Sequence, residues 1–342
     1  MTGRDLPGLD LGRLRAHLDA ERPGMVRGEL RGHLVAGGRS NLTYEVGDGH
    51  STWIVRRPPL GHVLATAHDM AREHRVITAL RDTAVPVPRT FALCTDPDVI
   101  GAPFYVMEKV EGVPYRTADE LARFGPDEVR AIALRLVDTL AELHAVDPAG
   151  VGLGDFGRPD GYLARQVKRW KQQLDASRSR DLAGADALHR RLAESVPEQQ
   201  PAAIVHGDYR LDNVLVDDGQ VRAVLDWEMA TIGDPLADVG LLLVYQRRHE
   251  LGGTFVGGVA TASGFPSPQE VVARYAERSG RDLSRLGFYL ALGYFKSAVI
   301  CEGIHYRYQQ GQTVGEGFDT VGRAVEPLLA AGLQSIDQGG RR

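Results

Sequence analysis

Cysteine and long apolar runs are both scarce in this sequence. Only Cys94 and Cys301 occur among the 342 residues, too far apart for a metal or redox site of the CxxC type, and two cysteines exclude a disulfide scaffold. So little cysteine is typical of a reducing compartment, and we predict a cytoplasmic protein. Apolar stretches such as Val239–Tyr245 are far shorter than the roughly 20 residues of a membrane span. Residues 1–22 carry several charges and no apolar segment, so we expect no signal peptide there.

Lysine is the other rarity. Of the 40 basic residues only four are lysines, and none precedes Lys109. The net charge of −5 does not suit a general nucleic-acid binder. Apolar residues at 43% and charged residues at 25% are typical of a globular chain, whose length predicts about two domains. Nothing in the sequence indicates an oligomeric state.

The first 110 residues follow an α+β pattern. Residues 30–57 read as strands with a turn at Gly47–Gly49, and residues 68–81 have the apolar spacing of a helix. Two further strands are predicted at 91–94 and 103–108. We therefore predict an antiparallel sheet that carries one helix.

The rest of the chain is predicted to be mainly helical. Helices are expected at 127–144, at 161–177 and at 286–310, where a long apolar segment lies. Short strands are expected between residues 202 and 225. Residues 152–157 match the pattern GxGxxG, but a dinucleotide fingerprint needs a strand directly before it and a helix directly after it. Neither is predicted there, so we interpret this segment as a glycine-rich loop.

The strongest chemical signal lies between residues 204 and 226. Asp208 and Asn213 stand in a D-x4-N relation between apolar segments, and the apolar strand 221–226 ends in Asp226. Phosphoryl transfer needs a carboxylate that orients or deprotonates the attacking hydroxyl, together with oxygen ligands for Mg²⁺. Mg²⁺ keeps several waters and also binds nucleotide phosphates, so one carboxylate and one amide oxygen suffice as protein ligands. The three residues predict a phosphotransferase site.

Three segments carry a resemblance to a known family. His206–Asn213, Leu225–Glu228 and Gly233–Asp238 resemble the aminoglycoside phosphotransferase (APH) and choline kinase-like family. They look especially like the branch that includes the kinase-like domain of acyl-CoA dehydrogenase fusions. The resemblance extends over about residues 30–310.

The resemblance implies a bilobal, protein-kinase-like α+β fold. Its N-terminal nucleotide-binding lobe would comprise residues 1–108, its hinge 109–114, and its mainly helical catalytic and substrate-binding lobe 115–342. It also implies Mg²⁺ as cofactor and ATP as phosphoryl donor, with GTP as an alternative donor. The expected partners are therefore a nucleotide and a small-molecule substrate.

The resemblance also assigns roles in the catalytic segment. Asp208 would be the catalytic aspartate, with Asn213 and Asp226 as metal ligands. His206 is expected to support the loop, with metal binding or a role as base as the alternatives. Asp238 is expected to tie the loop backbone, with metal binding as the alternative.

A second group of residues is implied to bind the nucleotide. Arg56 matches the strand position where most relatives have lysine, and Glu73 matches the helix glutamate that pairs with it. The other candidates belong to the phosphate-covering turn and to the adenine pocket with its hinge: Gly37, Gly38, Ser40 and Asn41, and Met107, Lys109 and Val110.

Charge guides the prediction of the acceptor. From Leu241 to the end of the sequence, eleven basic residues face nine acidic ones, so the part that forms the acceptor pocket in this family is not acidic. A polycationic aminoglycoside would meet repulsion there, and Lys296 and Arg307 are candidate substrate residues. We predict a kinase acting on a hydroxyl of a neutral or anionic, acyl-like metabolite. An aminoglycoside phosphotransferase and a catalytically weak, nucleotide-binding regulatory module are the alternatives.

Overall fold

The structure is a computed structural model that describes residues 6–35, 41–60, 69–251, 258–312 and 317–339. The chain divides into two units. Unit 1 comprises residues 1–112 and 222–230, and unit 2 comprises residues 113–221 and 231–342. The lobe boundaries expected from the sequence stay a prediction.

Unit 1 contains the predicted antiparallel sheet, with the strand order β1-β2-β3-β5-β4. Its elements are α1 (Leu11–Glu21), β1 (Arg31–Leu34), β2 (Leu42–Gly47), β3 (Thr52–Arg57), α2 (Met70–Leu80), β4 (Thr90–Cys94) and β5 (Phe104–Glu108). Side chains alternate along the strands, so that Tyr44, Val46, Trp53 and Val55 all enter one core. Asp48 closes the β2–β3 turn, where its carboxylate accepts hydrogen bonds from the backbone N–H groups of His50 and Ser51.

Helix α1 is an element that the sequence analysis did not predict. The side chain of Asp10 caps its first turn by accepting from the N–H groups of Gly12 and Arg13. Only Leu14 and Leu18 of this helix are buried, a spacing of one turn. So narrow an apolar stripe gives a weak helical signal, and the packing of these two leucines into the sheet core decides the structure.

Unit 2 is mainly helical, as predicted. Its elements are α3 (Ala118–Leu121), α4 (Pro126–Ala145), α5 (Tyr162–Ser177), α6 (Ala185–Glu194), β6 (Ala203–Val205), β7 (Val214–Asp217), β9 (Thr231–Gly233), α7 (Leu236–Arg247), α8 (Pro268–Ser279), α9 (Leu286–Gln309) and α10 (Val325–Gly339). Strand β8 (Gln220–Val224) follows β7 after a turn at Asp218 and Gly219 and leads into the second segment of unit 1.

Helix α9 is the central helix of unit 2 and packs against α5, α7 and α10. It crosses α7 at two glycines, Gly240 and Gly293. A Cβ atom at Gly240 would lie 2.5 Å from the backbone oxygen of Tyr289, so no larger residue fits at this crossing. Within the described ranges, no helix combines the length and the apolarity that crossing a membrane requires.

The GxGxxG segment forms turns, as the sequence analysis expected. No helix follows it directly, because α5 begins only at Tyr162. Packing requires a glycine at position 157, because a Cβ atom there would lie 2.5 Å from the backbone nitrogen of Ile232. The glycine therefore permits a close approach of two backbone segments within unit 2.

Candidate active site

Unit 1 holds an ion cluster around Arg56, which lies on β3. The Arg56 Nε atom is 3.2 Å from Oε2 of Glu73 on α2, and the Arg56 Nη2 atom is 2.5 Å from Oδ1 of Asp226. The Glu73 side chain is only 1% exposed and that of Arg56 11%. One guanidinium thus contacts two carboxylates, because its planar fork presents several N–H donors. A single ammonium group would bridge the two carboxylates less well.

Glu73 is held by two further groups. Tyr105 donates its hydroxyl hydrogen to Oε2 of Glu73 at 2.9 Å, and the Asn41 amide donates to Oε1 at 2.9 Å. Burial raises the pKa of Glu73, although the charge of Arg56 and these hydrogen bonds oppose the rise. The result is a carboxylate fixed from both sides between strand β3 and helix α2.

Asp226 lies in the second segment of unit 1, residues 222–230. Its backbone has φ of 64°, a left-handed conformation that aspartate tolerates better than most residues. Within the same segment, Glu228 accepts a hydrogen bond from the Asn41 amide at 3.3 Å, and the carbonyl of Ala230 accepts one from Arg72 of α2. The segment is therefore fastened to the same residues that hold Glu73.

The other predicted nucleotide residues of unit 1 are placed as follows. Met107 is buried on β5, where it pairs with Ile54 of β3. Lys109 and Val110 directly follow β5, and the Lys109 ammonium group lies 3.1 Å from Oε1 of Glu45. Asn41 is described above, whereas the predicted turn residues Gly37, Gly38 and Ser40 lie outside the described residues.

The segment that is predicted to be catalytic, His206–Asn213, follows strand β6 in unit 2 and is called the catalytic segment below. Asp238 on α7 accepts hydrogen bonds from the backbone N–H groups of His206 at 2.7 Å and of Gly207 at 2.8 Å. Burial would raise the pKa of Asp238, but its hydrogen bonds outweigh burial and hold that pKa below its usual value. His206 is fully buried, and its Nδ1 atom accepts from the N–H of Asp208 at 3.2 Å. These contacts fix the backbone up to Asp208.

Three side chains contact the carboxylate of Asp208. Its Oδ2 atom accepts a hydrogen bond from the Asn213 amide at 3.0 Å and lies 3.4 Å from Nε of Arg210. Its Oδ1 atom accepts a hydrogen bond from the hydroxyl of Tyr245, which lies on α7. Burial, followed by the charge of Asp208, raises the pKa of Tyr245 well above its usual value, so the phenol keeps its proton and acts as the donor.

Asn213 and Asp226 have the donor atoms that Mg²⁺ prefers. The amide nitrogen of Asn213 is bound to both the backbone oxygen and the carboxylate of Asp208, which leaves the amide oxygen as the atom that can face a cation. Arg56 occupies Oδ1 of Asp226, and a carboxylate has further lone pairs. Among the described residues, no cluster of three or more His, Cys, Asp or Glu side chains is arranged to hold a metal. Each of the two residues therefore offers an oxygen that suits Mg²⁺, a cation that takes few protein ligands.

The two candidate substrate residues lie on α9 and have different surroundings. The Lys296 ammonium group donates to the carbonyl of Gly207 at 2.5 Å and lies 5.4 Å from the Trp170 ring centroid. Burial lowers the pKa of Lys296, while the nearby carboxylates of Asp208 and Asp238 oppose this. Arg307 is exposed, eleven residues further along the helix. The structure thus brings Lys296, but not Arg307, to the catalytic segment.

A pocket in unit 2 adjoins this segment. Its walls are mainly apolar, and Arg210, Asp212 and Tyr245 contribute polar atoms. The apolar lining includes Leu136, Val137, Leu242, Phe265 and Val271. Tyr245 therefore contacts Asp208 and also lines an apolar pocket.

Sequence reasoning missed Arg210, which lies two residues from Asp208, and three residues that lie further away along the chain: Tyr105, Tyr245 and Glu228. Each of these three makes its contact through the side chain across a long sequence separation, for example 37 residues between Tyr245 and Asp208. Tyr105 and Tyr245 lie in apolar runs that predict core positions. The one available signal was the place of Glu228 in the run Leu225–Glu228, one of the three segments that carry the family resemblance.

Comparisons with known proteins identify the family of the chain. The family model of APH, the phosphotransferase enzyme family, matches residues 31–277. Acyl-CoA dehydrogenase family member 11 of Gallus gallus is 36% identical over 312 residues, which are 87% of this chain and 39% of that protein. The chain therefore spans about two-fifths of the length of this curated relative.

Solved structures give the same family. A protein of Ralstonia eutropha, provisionally described as an aminoglycoside phosphotransferase, has a TM-score of 0.85 and 33% identity, over 96% of this chain and 98% of that chain. A thermostable variant of aminoglycoside phosphotransferase APH(4)-Ia, in a ternary complex with ADP and hygromycin B, has a TM-score of 0.60 at 16% identity, over 96% and 98% of the two chains. The second likeness concerns the fold alone, which is the protein-kinase-like fold that the sequence predicted. Together with the match over residues 31–277, these findings establish that the chain belongs to the APH phosphotransferase enzyme family.

Proposed function

We propose that the chain is an ATP-dependent small-molecule kinase of the cytoplasm, which transfers a γ-phosphoryl group to a hydroxyl of a neutral or anionic, acyl-like metabolite. The observation that carries the proposal is the carboxylate of Asp208. It lies on a loop whose backbone Asp238 holds, and its own oxygens are oriented by Asn213 and Tyr245. A carboxylate fixed in this way can accept the proton of an attacking hydroxyl.

In the proposed reaction, the hydroxyl oxygen of the acceptor bonds to the γ-phosphorus while Asp208 accepts the hydroxyl proton. The bond between the γ-phosphorus and the oxygen that leaves with ADP breaks. Asn213 and Asp226 keep the role of metal ligands, and Mg²⁺, when bound, supplies charge neutralisation of the phosphates. Arg56 and Glu73 keep the role of the strand and helix pair, with Arg56 toward phosphate. The predicted nucleotide contacts are kept for Gly37, Gly38, Ser40 and Asn41 and for Met107, Lys109 and Val110. The predicted lobes are residues 1–108 and 115–342, with the hinge at 109–114.

The acceptor class follows from the surroundings of Asp208. Arg210 and Lys296 both lie near this residue, and the adjoining pocket is mainly apolar. Cations next to the catalytic carboxylate disfavour a polycationic acceptor, and apolar walls favour one with a hydrocarbon part. ATP is the proposed donor, since a structural neighbour holds ADP, and GTP stays an alternative.

Two alternatives have observations of their own. The Ralstonia eutropha protein, which is 33% identical, is provisionally described as an aminoglycoside phosphotransferase. This description favours an antibiotic phosphotransferase. Arg56, at a position where most members of the family have lysine, favours a catalytically weak nucleotide-binding module with a regulatory role.

Alanine variants test the division of roles. We expect Asp208→Ala to bind Mg²⁺-ATP nearly as well as the wild type, while ADP release with an alcohol library falls by about 10²–10⁴-fold, the usual contribution of a positioned base. Asp226→Ala should instead lose the Mg²⁺ dependence of nucleotide binding in a thermal-shift titration. Asp181→Ala removes a surface carboxylate that is 99% exposed and serves as the matched control. Equal loss of nucleotide affinity in the Asp208 and Asp226 variants contradicts the proposal.

A further inference from the structure

Tyr245 occupies an oxygen of the proposed catalytic base. Asp208 has two carboxylate oxygens, and Oδ2 is already engaged by Asn213 at 3.0 Å and approached by Arg210 at 3.4 Å. The remaining oxygen, Oδ1, accepts the hydrogen bond of the Tyr245 hydroxyl. An acceptor alcohol that gives its proton to Asp208 has to donate a hydrogen bond to the same carboxylate. The phenol therefore makes the contact that the substrate alcohol needs.

The ring of Tyr245 is held where this exchange can occur. The guanidinium carbons of Arg210 and Arg248 both lie 5.3 Å from its centroid, a distance at which a cation attracts an aromatic ring. The same residue lines the apolar pocket beside Asp208. An alcohol entering from this pocket would replace one hydroxyl by another on Oδ1, so the carboxylate keeps its number of hydrogen bonds.

Water is the competing nucleophile in such a site. A carboxylate that can orient an alcohol can also orient a water molecule, and a kinase then hydrolyses ATP without product. A phenol on Oδ1 competes with a water molecule for that oxygen. On the basis of the proposed function, we infer that Tyr245 is a placeholder for the acceptor, which occupies Oδ1 of Asp208 until an alcohol displaces it and thereby suppresses ATP hydrolysis.

The test is basal hydrolysis of Mg²⁺-ATP by the full chain without any acceptor, measured as phosphate release. Tyr245→Phe keeps the ring and removes the hydroxyl. We expect it to hydrolyse ATP about tenfold faster than the wild type, an effect of the size that one hydrogen bond to a charged group has. Tyr289→Phe is the matched control, because it removes a hydroxyl that donates to another carboxylate, Asp234, at 2.9 Å. It should hydrolyse ATP at the wild-type rate.

Further measurements separate the outcomes. Asp208→Asn combined with Tyr245→Phe should abolish the gain, since the gain needs the carboxylate. An unchanged or slower rate in Tyr245→Phe overturns the placeholder role, and so does a phosphate found on Tyr245 by mass spectrometry after incubation with Mg²⁺-ATP. If Tyr245→Phe does not fold, Arg248→Ala loosens the same ring, and a rate that does not rise overturns the role as well. A wild type that binds no Mg²⁺-ATP in a thermal-shift titration refutes the proposed function itself, whereas binding without a gain in Tyr245→Phe refutes only this inference.

Discussion

Arg56 bridges two carboxylates with one side chain, at a position where the family resemblance predicts lysine. Its guanidinium contacts Glu73 with Nε and Asp226 with Nη2, so the two carboxylates are bridged through different nitrogens. A lysine would present one ammonium group to both. Because the Glu73 side chain is 1% exposed, the bridge is also what makes burial of this carboxylate tolerable.

Replacing Arg56 is therefore expected to affect stability as well as nucleotide binding. Arg56→Ala leaves a buried carboxylate without its cation, and we expect a loss of about 3–5 kcal/mol in the free energy of unfolding. Arg56→Lys should recover part of that loss and retain nucleotide binding. Urea denaturation measures the first effect, and titration with Mg²⁺-ATP measures the second.

The control for this experiment is an exposed pair in the same unit. Arg81 and Asp82 lie 3.1 Å apart with side chains 51% and 83% exposed, so Arg81→Ala should leave the free energy of unfolding nearly unchanged. A loss in Arg56→Ala no larger than in Arg81→Ala contradicts the role given to the buried bridge.

At the scale of elements, the position of Asp208 depends on how α7 packs. This helix supplies Asp238, which holds the loop backbone, and Tyr245, which contacts the carboxylate of Asp208. Its own position is fixed against α9 at Gly240 and Gly293. The close crossing of α7 and α9 therefore helps to fix the positions of Asp238 and Tyr245, and through them the position of Asp208.

We expect Gly240→Ala to lower the free energy of unfolding by about 1–3 kcal/mol, because the new methyl group would lie 2.5 Å from the Tyr289 carbonyl oxygen. Gly303→Ala, in the interior of α9, is the matched control. Its Cβ atom would meet only Ser177 Oγ at 3.7 Å, so this variant should gain about 0.5–1 kcal/mol from helix propensity. Chemical denaturation measures both, and the same sign for the two variants contradicts the close crossing.

At the scale of the whole molecule, the distribution of charged residues predicts the class of substrate. The chain has a net charge of −5, yet residues 241–342 carry eleven basic and nine acidic side chains. Aminoglycosides are polycations, and clefts that concentrate cations are acidic. The excess of negative charge is thus located in residues 1–240 and not in residues 241–342, where the acceptor pocket is predicted.

We therefore expect a panel of aminoglycosides, hygromycin B and kanamycin among them, to be phosphorylated with kcat/KM well below the ~10⁴ M⁻¹s⁻¹ of ordinary enzymes. Steady-state ADP release measures this, with Asp208→Ala as the blank. An aminoglycoside that reaches ordinary efficiency would establish the antibiotic phosphotransferase in place of the metabolite kinase.

Residue order and periodicity predicted the fold class and most helices and strands, because strong apolar patterns such as those of α4 and α9 determine their own structure. They also identified Asp208, Asn213 and Asp226 as candidates, whose order along the chain is informative by itself. They missed the contacts between elements. Tyr105 and Tyr245 have the pattern of core residues, and only the packing of β5 on α2 and of α7 beside the loop shows that their hydroxyls contact carboxylates.

The membership of residues 222–230 in unit 1 has a consequence for the newly made chain. The segment is bound there by Asn41, Arg72 and the carbonyl of Pro86, yet the 109 residues of Val113–Val221 separate it from the sheet. At about 5–20 residues per second, a ribosome needs roughly 5–20 s to make that stretch. During this interval the sheet of unit 1 has been synthesised, but Arg56 has no Asp226 to bind. Unit 1 is therefore begun first, yet it can be completed only after the whole first segment of unit 2, residues 113–221, has been made.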